Sequence, residues 1–101
     1  MSGSDKMAAF DEIIHQSARL KIMAALMALS PGDSIDFSSL GKMLKLSDGN
    51  MGAHIQKLEE VGYLSVEKTF VDRKPRTFLQ ITTKGKHRFE EHVKALVEIV
   101  G

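Results

Sequence analysis

Cysteine is absent from the 101 residues, which excludes a disulfide framework, a thiolate zinc site and a cysteine nucleophile. No apolar run approaches the ~20 residues needed to cross a bilayer, and the N-terminus lacks an apolar stretch of signal-peptide length. The plain reading is a cytoplasmic protein. No internal repeat, low-complexity stretch or Gly/Ser linker divides the chain, so one domain around one core is expected. Residues 1–4 read as a flexible leader and residues 5–101 as the folded unit. Aromatics are sparse, one Tyr and five Phe with no Trp. They read mostly as core, which argues against the exposed stacking surfaces of structured-RNA binders. There is no glycine loop for a phosphate, no carboxylate pair placed for acid–base work and no histidine constellation, so neither an enzyme nor a cofactor is expected.

Excess charge of one sign is also lacking overall, with a formal net charge of +1. Its distribution is uneven. In the first 37 residues Lys6, Arg19 and Lys21 are outnumbered by Asp5, Asp11, Glu12, Asp33 and Asp36. Between Lys42 and Arg88 the bases are Lys42, Lys45, Lys57, Lys68, Arg73, Lys74, Arg76, Lys84, Lys86 and Arg88, against Asp48, Glu59, Glu60, Glu67 and Asp72. The positive half is where a face meeting phosphate is expected.

The apolar spacing predicts a short helix over Asp5–His15, with Met7, Phe10, Ile13 and Ile14 on one side. Ser17 is expected to cap a second helix whose stripe is Leu20, Met23, Ala24, Leu26 and Met27. Ser30-Pro31-Gly32-Asp33 ends it. Ser34–Asp36 is brief and extended, and Asp36 caps a helix holding Leu40, Met43 and Leu44. The next helix runs from about Asp48 to Val61, stopped by Gly62 in the left-handed position after its end. Periodicity then turns strand-like over Tyr63–Phe70, with Val71–Pro75 as a polar turn and Arg76–Thr82 returning. Thr83 is expected to cap a last helix from Lys84 to about Val100. The fold class is α+β, mostly α: a helix pair joined by a tight turn, followed at once by a basic antiparallel hairpin.

In the 48–61 helix, Met51, Ile55 and Leu58 share a narrow arc and form the buried face. Gly49, Gly52, Ala53, Gln56 and Lys57 point the other way, with Asn50 and His54 at the boundary. Two glycines and an alanine on an exposed helix face cost stability, about 1 kcal/mol per Gly relative to Ala. Small residues let a helix backbone approach a groove, while Asn, Gln and Lys can bond to base edges or phosphates. Ser47 and the first-turn N–H groups suit a phosphate, although Ser47 also serves simply as a cap. His54 reads equally as a packed residue. Glu59 and Glu60 would repel phosphate, so the N-terminal turns should enter a groove and the far end lie outside it. The turn carries Arg73, Lys74 and Arg76 around a stiffening proline, placed to straddle a backbone or reach a minor groove. Lys68 and Thr77, near the hairpin base, are placed to add phosphate contacts. Lys42, Lys45, Lys84 and Lys86 read as solvated surface.

The stretch from Ser38 through Thr83 resembles winged-helix transcriptional regulators, nearest the compact branch between the multiple-antibiotic-resistance type (MarR) and the arsenical-resistance type (ArsR). The resemblance rests on LSDGNMGAHIQKLEEVGYL, the RKPRT wing tip, ITTKG before the last helix and the upstream SARLKIMAAL. It implies a winged helix-turn-helix with a two- to three-stranded antiparallel wing, and N- and C-terminal dimerisation helices. It also implies a homodimer on the double-stranded DNA of a pseudo-palindromic operator. On that pattern Ser47, Asn50, Gly52, Ala53, His54, Gln56 and Lys57 lie in the recognition helix, and Arg73, Lys74 and Arg76 in the wing. Arsenical-type metal sensing is not expected, since there is no cysteine, and His87 and His92 stand about 140° apart around a helix. The long effector-pocket helices of the multiple-antibiotic type have no room here.

The last helix carries more apolar surface than a small core needs, in Phe89, Val93, Leu96, Val97, Ile99 and Val100, and Phe10, Ile13 and Ile14 offer a partner stripe. Pairing between two copies fits the two-fold symmetry of operators; pairing of the two helices within one chain is the other reading. A winged helix used for protein–protein contact is the alternative function, but it would be expected to expose an apolar or acidic helix face.

Overall fold

The computed structural model describes residues 11–101. The elements are α1 (Glu12–His15), α2 (Ser17–Met27), β1 (Ile35–Asp36), α3 (Phe37–Leu44), α4 (Asp48–Glu60), β2 (Leu64–Val71), β3 (Lys74–Ile81) and α5 (Thr83–Val100). The three strands form one antiparallel sheet in the order β1-β3-β2. The α+β, mostly helical winged fold expected from the sequence is what forms, with the wing three-stranded at its base.

Local chemistry explains most boundaries. The Asp36 carboxylate caps α3, accepting from the Ser39 backbone N–H and hydroxyl, each at 2.8 Å. These bonds hold its pKa below the ordinary value, with smaller help from Arg76 and Lys42. Lys45 closes α3 in the left-handed region at φ 57, and the Leu46 N–H reaches back to the Gly41 carbonyl at 2.9 Å. Ser47 then caps α4 through the Asn50 N–H at 3.3 Å. Gly62, at φ 80, ends α4 as expected, with the Tyr63 N–H on the Leu58 carbonyl at 2.9 Å.

Several boundaries differ from the sequence reading. Of the predicted first helix only the turn Glu12–His15 falls among the described residues; Met7 and Phe10 lie outside them. It is capped by Asp11. Ser17 is the first residue of α2 rather than its cap. Gln16 alone separates α1 from α2, makes no side-chain cap bond, and holds the first turn through its carbonyl to the Leu20 N–H at 2.9 Å. The α2 stripe also shifts: Ile22, Met23 and Leu26 are buried, whereas Ala24 is exposed. The hairpin turn is only Asp72–Arg73, both at positive φ (52 and 68), closed by the pair Val71↔Lys74. A two-residue turn of this left-handed kind matches strand twist, so Lys74, Pro75 and Arg76 belong to β3 and not to the turn. The cap of α5 is Thr82, not Thr83.

The core gathers Ile14, Ile22, Met23, Leu26, Leu40, Met51, Ile55, Leu58, Tyr63, Leu64, Leu79 and Ile81. It therefore sits between α2, the inner face of α4 and the base of the hairpin, and fixes α4 relative to the wing. A second set of bonds ties the chain ends to that frame. The Tyr63 hydroxyl donates to Asp11, and the Asp11 N–H donates to Nδ1 of the buried His92 at 2.9 Å. Burial and then the Asp11 bond push the Tyr63 pKa up to about 12.

Candidate nucleic-acid interface

The helix read as the recognition element presents its polar side outward. Met51, Ile55 and Leu58 are buried, while Ser47, Gly49, Asn50, Ala53 and Gln56 are exposed and Gly52, His54 and Lys57 half-exposed. A Cβ built on Gly49 or Gly52 would meet nothing within 4 Å. Nothing among the described residues demands glycine there, and alanine would favour the helix.

Between α4 and the wing lies a cleft of about 410 Å³, lined by Phe37, Gly52, Ile55, Gln56, Glu59, Val66, Lys68 and Thr77. Residues expected separately from helix and hairpin, Gly52 and Gln56 on one side and the cross-strand pair Lys68↔Thr77 on the other, are thus brought to one concavity. The sequence reading left Glu59 outside the contact region; here it lines the far end of the cleft. Arg73 and Lys74 are exposed at the wing tip.

Arg76 is placed apart from them. It lines a second depression, about 350 Å³, with Asp36, Ser38, Ser39, Lys42, Pro75 and Thr77. Lys42, read from the sequence as ordinary solvated surface, is thereby brought beside a wing arginine. Among the described residues the one ion pair is Arg88–Glu91 at 3.9 Å. No carboxylate among the described residues forms an ion pair with the cations of α3, α4 or the wing, although Asp36 stands near enough to Arg76 and Lys42 to feel their charge.

His54 stands at the edge of the interface under a constraint the sequence did not reveal. The Arg19 Nε–H donates to His54 Nδ1 at 3.0 Å, and Arg19 also reaches the Ile13 carbonyl at 3.3 Å. Burial, and secondarily the Arg19 charge, hold the imidazole pKa below its ordinary value. The partners are 35 residues apart in sequence, so no local pattern could have paired them.

The residues proposed for dimerisation divide. Ile14 lies wholly within the chain's own core, and Ile13 and Phe89 pack partly against it. Leu96 is half-buried. Val93, Val97 and Val100 form an exposed apolar edge on α5, 38%, 61% and 76% exposed, with Ile99 at 42%. Phe10 lies outside the described residues. Among those residues no group of His, Asp or Glu is placed to hold a metal ion, and no helix is long and apolar enough to cross a membrane.

The sequence profile of the winged helix DNA-binding domain family matches residues 18–100. An uncharacterised protein of Methanocaldococcus jannaschii is 31% identical over 88 residues, 87% of this chain and 92% of that one. The structure of a transcriptional regulator homologue from Pyrococcus horikoshii superposes with a TM-score of 0.81 at 31% identity, covering 96% of this chain and 91% of that chain. The PcaV transcriptional regulator from Streptomyces coelicolor shares the fold at 17% identity and a TM-score of 0.69, with 90% and 61% covered. The chain belongs to the winged helix DNA-binding domain family.

Proposed function

We propose that this protein is a transcriptional regulator of the MarR-like kind, a homodimer that reads a pseudo-palindromic operator by inserting the first turns of α4 into the major groove. The observation that carries this reading is Gly52, a helix-interior glycine with open space where its Cβ would be. A glycine that costs the helix about 1 kcal/mol, and that no described residue requires, is accounted for by a partner surface that must come close. Gln56 and Asn50 flank it for base edges, and Ala53 suits apolar contact with a thymine methyl. Ser47, Lys57, Lys68 and Thr77 take phosphates around the cleft, and Arg73, Lys74 and Arg76 hold the backbone on either side of the wing. His54, with Nδ1 held by Arg19, would contact DNA through Nε2. Glu59 at the cleft's far end limits how far a strand runs along it.

Two copies pair through α5, where Val93, Val97 and Val100 are exposed, with Leu96 and the partly buried Ile13 and Phe89 beside them; Ile14, fully buried, serves the core of each copy instead. Residues 5–101 act as one unit in the cytoplasm, and no cofactor, metal or membrane enters the function.

A titration against duplexes selected from a random pool, at salt from about 50 to 200 mM, tests the reading. Arg73→Ala/Lys74→Ala should weaken all sequences and flatten the salt slope by about one unit per lost phosphate contact. Gln56→Ala should instead change preference among sequences. No measurable affinity for any duplex at low salt would sink the proposal.

A further inference from the structure

The wing carries an apolar pair that neither the core nor the charge pattern accounts for. Side chains alternate along a strand, so one face of the hairpin holds Leu64/Ile81, Val66/Leu79, Lys68/Thr77 and Phe70/Pro75 in order from core to tip. The first pair is buried, and Lys68/Thr77 line the cleft beside α4. The outermost pair continues the same face beyond the body. There Phe70 is 73% exposed, and Pro75 opposite it is exposed too.

The register makes this pair a unit. A two-residue turn closed by Val71↔Lys74 makes that the hydrogen-bonded pair, so Phe70 and Pro75 form the next, non-hydrogen-bonded one. Side chains stand closest together in such pairs. The missing N–H of Pro75 then points away from β2, on the side where β1, paired only with Leu79 and Phe78, does not reach. Phenyl and pyrrolidine thus form one small apolar pad on the face that continues the cleft.

Lys68 shares the pad's face and Arg73 stands at the adjoining turn, while Lys74 and Arg76, on either side of Pro75 in sequence, project from the opposite face of the same strand. A partner for it must offer apolar surface flanked by negative charge at side-chain spacing. The deoxyribose walls of a DNA minor groove, lined by phosphates, have that composition. We infer that Phe70 and Pro75 pack against the sugars of the strand that passes from the cleft to the wing tip, as an apolar contact inside an otherwise ionic one. The inference rests on the wing touching DNA as proposed above, and adds a contact that does not depend on charge.

The difference is measurable because an apolar contact releases no counterions. With a duplex selected by the wild-type protein, Phe70→Ala should weaken binding about tenfold at every salt concentration, leaving the slope of log affinity against log salt unchanged. Phe70→Leu, which keeps most of the apolar surface, should restore affinity to within about threefold. Hydroxyl-radical cleavage of the sugars under the wing should rise in the Phe70→Ala complex. Phe70 is exposed, so its loss leaves the fold intact. Affinity unchanged in Phe70→Ala, or lost with a shallower slope, overturns the inference while leaving the wing reading in place. If Arg73→Ala/Lys74→Ala also has no effect, the wing reading falls and the inference with it.

Discussion

A Cβ on residue 85 would stand 2.0 Å from the carbonyl oxygen of Tyr63, so only glycine lets α5 begin against the end of α4. The junction is closed by three hydrogen bonds. The Thr82 hydroxyl donates to the Gly62 carbonyl at 2.6 Å, and the Gly85 N–H donates to that hydroxyl at 2.9 Å. The Thr82 N–H donates to the Tyr63 carbonyl at 3.1 Å. Gly85→Ala must displace backbone that holds both helices. A loss of about 3 kcal/mol in urea unfolding is expected, and a loss below about 1 kcal/mol would show the junction to be soft.

That junction also shows what sequence could and could not reveal. Asp36, Ser47 and Gly62 announce helix ends through chemistry within a few residues, and Met51, Ile55 and Leu58 announce the buried face by spacing alone. Thr82 and Thr83 are equivalent by local pattern; what selects Thr82 is the carbonyl of Gly62, 20 residues away. The α2 segment is apolar on nearly every side, so spacing alone does not tell that Ile22 is buried and Ala24 exposed. Pro75 suggested a turn, yet β3 accepts it because its outer edge is open at that point. Arg76 and Lys42 meet, and Arg19 finds His54, only because the core folds α2, α3, α4 and the wing together.

His54 and His92 make stability depend on pH in one direction. Burial is the main cause of the lowered pKa in both. The Arg19 charge adds to it at His54; at His92 His15 adds to it and Asp11 opposes it. The unfolded chain, with histidines near 6.5, takes up protons before the folded one. Stability is therefore fully present above about pH 6.5 and declines as pH falls below it. Urea midpoints between about pH 8 and pH 5 should show this decline. His54→Gln, which keeps an acceptor for Arg19 but does not titrate, should make it shallower. An identical decline would mean that His54 does not titrate as argued.

Arg73 occupies the left-handed region at φ 68 without being glycine. Such a residue stores strain of about 1 kcal/mol, held here by the closing pair Val71↔Lys74. Arg73→Gly should raise stability by about that amount while weakening DNA binding and flattening its salt slope. If stability and affinity rise together, the arginine is not kept for a phosphate.

Val97, 61% exposed on α5, separates the proposed dimer from the fold. Val97→Asp removes no core contact, so monomer stability should change by less than about 0.5 kcal/mol. Sedimentation should nevertheless show one copy where the wild type shows two, and affinity for a two-half-site duplex should fall toward that for a single half-site. A dimer that survives this charge lies elsewhere than the α5 edge.

Gly52→Ala sets the helix against its ligand. The new methyl meets nothing within 4 Å, and alanine favours a helix interior by about 1 kcal/mol over glycine. The variant should therefore unfold at higher urea concentration than the wild type. If the first turns of α4 lie close in a groove, the same methyl must clash with base edges or force the helix outward. Affinity for selected duplexes should then fall at least tenfold, about 1.4 kcal/mol, while the salt slope set by the wing cations stays nearly the same. A variant that is more stable and binds as tightly would leave Gly52 unexplained, and would move the reading surface off this face of α4.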